Sequence, residues 1–269
     1  MPDITVDQAP DHASEEQRGE SMPAMSFFEH LEELRKRLVY CAIAIAAGFG
    51  VCWVFKERIY GFVQRPIIDA FAHNGMSSRL TFLNPIEPFN LYLKTAFMGG
   101  LFLTSPFLLY QLWMFISPGL YRKEKRYVIP FMLSTVFLFL SGGYFGYRLV
   151  FPQALQYLLQ LGKDFQPMIT IGEYTELFLT VIVGLGVVFE LPILVFFLAL
   201  MGVVSAGWMW RNIRYAILVI FIIASILAPT PDISTMCIFA APMIVLYLIS
   251  IGIAWRVHHD RRKARQAHS

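Results

Sequence analysis

Residues 110–127 read Tyr-Gln-Leu-Trp-Met-Phe-Ile-Ser-Pro-Gly-Leu-Tyr-Arg-Lys-Glu-Lys-Arg-Tyr, and this stretch decides the fold of the chain. An apolar run ends at Ser117-Pro118-Gly119, and basic residues then flank Glu124 on both sides before the next apolar run begins. A helix that leaves a bilayer, turns tightly and re-enters it has this pattern. The stretch therefore predicts two membrane-spanning helices joined by a short basic loop.

The composition agrees with a membrane protein. Of the 269 residues, 57% are hydrophobic and 15% are charged, whereas a soluble domain carries about 25% charged residues. Six charge-poor runs are long enough to cross a bilayer, since a spanning helix needs about 20 residues. We therefore predict an all-α integral membrane protein with six transmembrane helices, at residues 38–55, 95–121, 127–147, 177–210, 215–231 and 233–255.

The placement of Lys and Arg predicts the orientation. With the N-terminus in the cytoplasm, 15 of the 22 basic residues fall on the cytoplasmic side, as the positive-inside rule requires. These are Arg18, Arg35, Lys36, Arg37, Arg122, Lys123, Lys125, Arg126, Arg211, Arg214, Arg256, Arg261, Arg262, Lys263 and Arg265. The pattern predicts that both termini lie inside.

Three segments follow from the same patterns. Residues 1–25 are polar and acidic and predict a disordered extension. Residues 26–255 form the membrane domain, and 256–269 form a basic cytoplasmic tail suited to anionic lipid headgroups rather than nucleic acid. A capping-box spacing at Ser26 and Glu29 predicts the start of an amphipathic interfacial helix that feeds into the first span. On this helix, Glu32 with Lys36 and Glu33 with Arg37 fall at i,i+4 and are predicted to pair.

The first outer loop, between the first two spans, is apolar enough to fold. Its pattern predicts short amphipathic helices lying against the membrane, broken at Pro66 and again near Asn74-Gly75. A similar but shorter segment follows the third span, beginning at Phe151-Pro152.

Three carboxylates are candidates for function. Glu190 is an ionisable residue in mid-span, and its neighbours Gly184, Gly186 and Pro192 predict a thinned, kinked helix. Glu190 is either a contact group inside a cavity or an inert, protonated structural group. Glu33 and Glu124 lie at predicted cytoplasmic helix ends among basic residues. They are either receptors for guanidinium groups or ordinary charges on a solvated face.

Aromatic residues near this region have two interpretations as well. Trp113, Phe115 and Tyr121 predict an interfacial aromatic belt, and the alternative is that they pack against an apolar ligand. Nucleophile elbows, zinc-binding helices and glycine-rich phosphate loops are absent from the sequence, and the Cys and His residues are scattered. The chain is therefore not expected to be an enzyme, and no cofactor or metal is expected.

Several motifs, in order, resemble the TatC family, the core subunit of the twin-arginine protein translocase. The resemblance covers about residues 26–255. Its motifs are His30-Leu31-Glu32-Glu33-Leu34-Arg35-Lys36-Arg37-Leu38, the segments 110–113 and 115–121, Glu124-Lys125-Arg126, Phe189-Glu190-Leu191-Pro192 and Thr230-Pro231-Asp232. The acidic extension before Ser26 is not part of the shared pattern.

The resemblance implies a cup-shaped six-helix bundle in the inner membrane of a bacterium. It implies that Glu33, Glu124 and Phe115 bind the Arg-Arg signal peptides of folded cargo, and that Glu190 lines the cavity of the cup. Pro66 falls in an outer loop that is functionally sensitive in the family. Small single-span TatA-like and TatB-like partners in a hetero-oligomer, and transport driven by the proton-motive force, are also implied.

Two other function classes stay open at this point. A proton-coupled transporter of a small solute would use Glu190 as a relay, but such proteins often contain inverted repeats, and none is seen in the sequence. An intramembrane protease needs a nucleophile and a base, and neither is recognisable.

Overall fold

The computed structural model describes residues 27–75, 80–116, 128–165, 167–200, 202–230 and 232–266. Almost all of this described chain is helical, as the long apolar runs predict, and extended pairing within it is limited to one bridge between Thr81 and Thr170. The helices are α1 Phe27–Val54, α2 Lys56–Val63, α3 Arg65–His73, α4 Glu87–Ile116, α5 Val128–Phe145, α6 Phe151–Leu161, α7 Ile171–Val188, α8 Leu191–Leu200, α9 Ala206–Arg211, α10 Ile213–Leu227 and α11 Ile233–Gln266.

Helix starts and stops follow local chemistry. The Thr170 hydroxyl accepts a hydrogen bond of 3.2 Å from the backbone N–H of Glu173 and caps α7. Ser205 caps α9 in the same way through the N–H of Trp208, at 3.3 Å. At the end of α3, the Asn74 side chain donates to the carbonyl of Ala70, and Gly75 adopts a left-handed φ of 64°.

Long helices run back and forth between two ends of the bundle. The antiparallel pairing of α1 with α4 is set by contacts of Arg37 with Gln111 at one end and of Trp53 with Phe89 at the other. We call the first the Glu33 end, formed by the start of α1 and the end of α4. The opposite end carries α2, α3 and α6, and we call it the α3/α6 end.

By length and composition, four helical segments of the described chain can cross a membrane: Leu31–Val54, Glu87–Phe115, Ile171–Ala199 and Ile233–Arg256. The chain is therefore a multi-pass membrane protein. α10 is apolar but shorter. The prediction of six spans is thus confirmed for four of them, and the count of six, the inward orientation of both termini and the cup shape stay predictions.

The structure refines three expectations. The amphipathic N-terminal segment and the first span form one unbroken helix, α1, so no separate interfacial helix precedes the span. Two short helices, α2 and α3, occupy the first loop as predicted, and the break between them falls at Gln64, so that Pro66 lies in the first turn of α3. α11 continues through much of the basic tail to Gln266.

The largest buried cluster lies towards the α3/α6 end. It joins Ile67 and Phe71 of α3, Phe151 of α6 and Phe178 of α7, and it continues between α10 and α11 through Phe239. Aromatic rings meet edge to face within it, with centroids of Phe151 and Phe178 5.1 Å apart. This cluster packs α3, α6 and α7 against one another at this end of the bundle.

Candidate functional site

Glu33 lies on the first turns of α1, four residues before Arg37, so both side chains share one helix face. Arg37 donates to Oε1 of Glu33 through Nε, at 3.0 Å, and through one terminal nitrogen. The other terminal nitrogen donates to Oε1 of Gln111 on α4, at 3.1 Å. The pairing of Glu33 with Arg37 that the spacing predicts is confirmed, and it extends to a second helix.

The second oxygen of Glu33, Oε2, is buried and has no hydrogen-bond partner within the described residues. The side chain as a whole is 19% exposed. A buried acceptor that lacks a donor costs about 1–3 kcal/mol, and more when it carries charge. The position is therefore suited to a donor supplied from outside, and a guanidinium is the side chain that matches a carboxylate best.

Glu32, the neighbouring carboxylate, behaves differently. It pairs with Lys36 at 2.9 Å, and its side chain is 65% exposed. Exposed pairs of this kind contribute about 0–1 kcal/mol because water screens them. Of the two adjacent glutamates, only Glu33 has the partly dry surroundings of a receptor.

Trp113 and Phe115, near the end of α4, differ in how deeply they are buried. Trp113 is buried, donates from Nε1 to the Thr135 hydroxyl at 2.9 Å, and stacks on Phe197 with centroids 4.0 Å apart. The prediction that Trp113 belongs to an interfacial belt is therefore wrong, since it ties α4 to α5 and α8. Phe115 is half-buried and lies one turn beyond Gln111 on α4.

Glu124 and Tyr121 lie outside the described residues, so the structure gives no distance between Glu124 and Glu33. Sequence reasoning missed Gln111, a single buried amide within an apolar helix, although it belongs to the quoted motif. A polar residue inside an apolar, membrane-spanning run is the sequence signal that would have identified Gln111, because buried polar groups need hydrogen-bond partners.

Glu190 occupies the break between α7 and α8, as its neighbours Gly184, Gly186 and Pro192 predict. It is half-buried, its carboxyl group approaches the backbone of Phe139 on α5, and its Oε1 is buried without a partner within the described chain. The helices come close here, because a Cβ at Gly142 would lie 2.7 Å from the carbonyl oxygen of Leu185. Glu190 thus lies where the α7–α8 break packs against α5.

Pro66 is buried at the α3/α6 end. It lines a cavity of about 180 Å³ together with Asp69, His73, Tyr147, Arg148, Pro152 and Gln156. The structure therefore separates the predicted site residues into three places: the Glu33 end, the α7–α8 break and the α3/α6 end.

Among the residues that the structure describes, no three His, Cys, Asp or Glu side chains lie close enough together to hold a metal ion. One carboxyl group outside the spans, that of Asp232, is held by several donors at the start of α11. The hydroxyls of Thr230 and Thr235, together with the backbone N–H of Thr235, donate to it and hold the pKa of Asp232 well below its usual range. These bonds cap α11 and assign Asp232 a structural role.

Comparison with known proteins gives consistent matches along the chain. The family model described as "Sec-independent protein translocase protein (TatC)" matches residues 29–242. A protein of that name from Koribacter versatilis is 61% identical over 268 residues, covering 99% of this chain and 98% of the relative. Another, from Desulforapulum autotrophicum, is 42% identical and covers 84% of this chain and 82% of the relative.

Two solved structures have the same fold. One, described as "Crystal Structure of Twin Arginine Translocase Receptor- TatC", superposes with a TM-score of 0.74 at 35% identity, covering 84% of this chain and 98% of that one. The second, of the same receptor in DDM, gives a TM-score of 0.76 at 35% identity. Because the family model matches most of the sequence and relatives align over nearly all of it, the chain belongs to the TatC family of Sec-independent protein translocase proteins.

Proposed function

We propose that this chain is the receptor subunit of a twin-arginine translocase, and that it binds Arg-Arg signal peptides of folded precursors at the Glu33 end. The observation that carries the proposal is the Glu33 carboxylate, whose Oε2 is buried and without a partner in the described chain while its Oε1 is held by Arg37. An incoming guanidinium would supply the missing donor. Glu124 is proposed as the second acidic receptor and Phe115 as an apolar contact for the peptide.

The orientation belongs to the same proposal. The Glu33 end faces the cytoplasm, where precursors arrive, and the α3/α6 end faces outward. Basic residues near Glu124 repel other cations, which favours specificity over affinity. The proton-motive force drives transport, and small single-span TatA-like and TatB-like subunits complete a hetero-oligomer in the inner membrane of a bacterium.

Photo-cross-linking of an Arg-Arg precursor to the full chain, in membrane vesicles with its partner subunits, tests the site. Glu33→Ala and Glu124→Ala should each lower cross-linking by about tenfold, as the loss of a charge-assisted hydrogen bond of ~1.5 kcal/mol implies. Glu32→Ala is the matched control, because Glu32 is the adjacent carboxylate and is 65% exposed. Unchanged cross-linking in both single variants and in the double variant would refute the site.

Glu190 is proposed to line the interior surface that the signal peptide or a partner subunit contacts after the first binding step. Its Oε1 is buried and has no hydrogen-bond partner among the described residues, which supports a role in an enclosed space. Glu190→Gln should leave Arg-Arg cross-linking intact while blocking transport. Glu176→Gln is the control, because Glu176 lies on the preceding helix, α7, and is 70% exposed. Uptake of a small solute by proteoliposomes that Glu190→Gln abolishes would instead support the transporter alternative.

A single cysteine beside Glu124 tests the orientation. A membrane-impermeant thiol reagent should label this cysteine only when it is added on the cytoplasmic side of sealed vesicles. Labelling from the outer side would overturn both the orientation and the placement of the receptor.

A further inference from the structure

We propose that Arg37 and Gln111 form a positioning pair, which holds the Glu33 carboxylate so that Oε2 is presented to the incoming guanidinium. The pair thereby sets the preference for arginine over lysine in the signal peptide. This inference rests on the proposed function, because it assumes that Glu33 receives a cationic side chain. We do not place Arg37 or Gln111 in contact with the signal peptide; their role is to orient Glu33.

The orientation of Glu33 is fixed by three donors of one planar group. Nε and one terminal nitrogen of Arg37 both donate to Oε1 of Glu33, while the other terminal nitrogen donates to Gln111. An arginine can only donate, so the atom of Gln111 that faces it is the carbonyl oxygen. Because the guanidinium is rigid and flat, anchoring its far side on α4 fixes its plane and the carboxylate bound to it.

The hydrogen bonds of Arg37 hold it in place, so the guanidinium of the signal peptide does not replace it at Glu33. It is 18% exposed, and Gln111 is buried at 8% exposure. Moving Arg37 away would leave the Gln111 carbonyl and both oxygens of Glu33 without donors, and buried polar groups left this way are costly. Both bonds from Arg37 to Glu33 go to Oε1, so a guanidinium that binds Oε2 does not compete with Arg37, which remains in place when the peptide binds.

The helix packing keeps Gln111 within reach. A Cβ added at Gly100 of α4 would lie 2.6 Å from the backbone nitrogen of Phe49 on α1, and one at Gly48 would lie 2.6 Å from the Thr104 side chain. Backbone therefore approaches backbone where the two helices cross, as small residues permit in membrane helix pairs. This close approach brings a residue of α4 to a side chain of α1 at the Glu33 end.

The positive charge of Arg37 also explains selection against lysine. Any second cation that binds Glu33 is repelled by Arg37, so it needs directional hydrogen bonds to compensate. An arginine offers a flat fork that can align with Oε2, whereas a lysine ammonium is a compact, strongly hydrated charge. The fixed geometry therefore favours arginine and disfavours lysine at the same oxygen.

The test compares cross-linking of an Arg-Arg precursor with that of a Lys-Lys precursor, using the full chain and its partners in membrane vesicles. Arg37→Lys keeps the charge but cannot reach Glu33 and Gln111 together, and Gln111→Leu removes the anchor while keeping similar volume. Both variants should lower the Arg-Arg to Lys-Lys ratio by about tenfold, the equivalent of one charge-assisted hydrogen bond. Lys36→Gln, in the same turn and 64% exposed, should leave the ratio unchanged.

The outcomes separate this inference from the proposed function. If Glu33→Gln lowers Arg-Arg cross-linking while Arg37→Lys and Gln111→Leu leave the ratio unchanged, the positioning role is wrong and the receptor site stands. If either variant binds the Arg-Arg precursor more tightly, Arg37 competes with the substrate and the inference is overturned. If Glu33→Gln has no effect, both the receptor site and the positioning role fall. Protein amount in the membrane is measured for every variant, so that misfolding is not mistaken for lost selectivity.

Discussion

At the α3/α6 end, side chains from three helices enclose one another, whereas at the Glu33 end α1 packs mainly against α4. Ile67 and Phe151 are fully buried in the first region, while Leu38 and Ile43 of α1 are 60% and 61% exposed. Close packing resists deformation because every displaced atom loses contacts. The difference indicates that the α3/α6 end is rigid and that the other end leaves apolar side chains exposed.

Truncating the core of the rigid end should give the largest effect on stability. Phe151 contacts the rings of Tyr174 and Phe178 edge to face and is fully buried. Phe151→Ala should lower the free energy of unfolding by about 3–5 kcal/mol, measured by thermal or denaturant unfolding in detergent micelles. Leu38→Ala on α1 is the control and should change little. Equal losses in the two variants would remove the contrast between the ends.

Separating α1 from α4 should give the next largest effect. A side chain at Gly100 meets backbone atoms of Gly48 and Phe49, which cannot rotate away. Gly100→Val should lower the free energy of unfolding by about 1–3 kcal/mol and should also reduce Arg-Arg cross-linking, because Gln111 moves away from Arg37. Gly50→Val is the matched control, since no atom of the described residues lies within 4 Å of a Cβ at that position. A normal Gly100→Val protein would show that the helix pair tolerates spreading.

Two tyrosines at the α3/α6 end allow a buried hydrogen bond to be compared with an exposed one. The buried Tyr174 hydroxyl donates to the carbonyl of Val63 at 2.6 Å, and the more exposed Tyr147 hydroxyl donates to the carbonyl of Phe62 at 3.1 Å. Tyr174→Phe should lower the free energy of unfolding by ~1 kcal/mol. Tyr147→Phe should cost less, because water replaces its bond. The two values come from the same unfolding measurement, and a reversed order would contradict the assigned burial.

The smallest predicted effect concerns the cap of α11. The bonds from Thr230 and Thr235 lower the pKa of Asp232, so the ionised form stabilises the fold above the unfolded pKa of about 4 and is lost as pH falls below it. Asp232→Ala should lower the melting temperature at pH 7, and the difference from the parent should shrink as pH falls below about 4. Asp232→Asn, which keeps an acceptor, should show a smaller loss. A difference that stays constant with pH would contradict the role of the charge.

Local patterns predicted a large part of this structure. The i,i+4 spacing predicted the pairs of Glu33 with Arg37 and of Glu32 with Lys36, and both are present. The end of α3 at Asn74-Gly75 and the break of the fourth span at Glu190 also follow from the residues themselves. These features depend on a few neighbouring residues, so one sequence is enough to find them.

Long-range features were not predictable in this way. The i,i+4 spacing predicted one ion pair for Glu32 and an equivalent one for Glu33. The two glutamates differ only because the antiparallel helix α4 brings Gln111 to Arg37. Trp113 was misassigned because an aromatic residue near a span end fits either a lipid interface or a core. Its bond to Thr135 depends on the packing of α5. Glu124 stays a prediction, since it lies outside the described residues.

The length of α11 has a consequence for anything attached to the end of the chain. Its 34 residues, at 1.5 Å each, make a rod about 51 Å long. A bilayer measures about 30 Å across its hydrocarbon and about 40–45 Å with its headgroups, and an average tilt of about 20° shortens the rod only slightly. The helix must therefore project beyond the lipid as a stalk. A fluorophore or affinity tag placed after Gln266 is held in water, away from the membrane surface, without an added spacer.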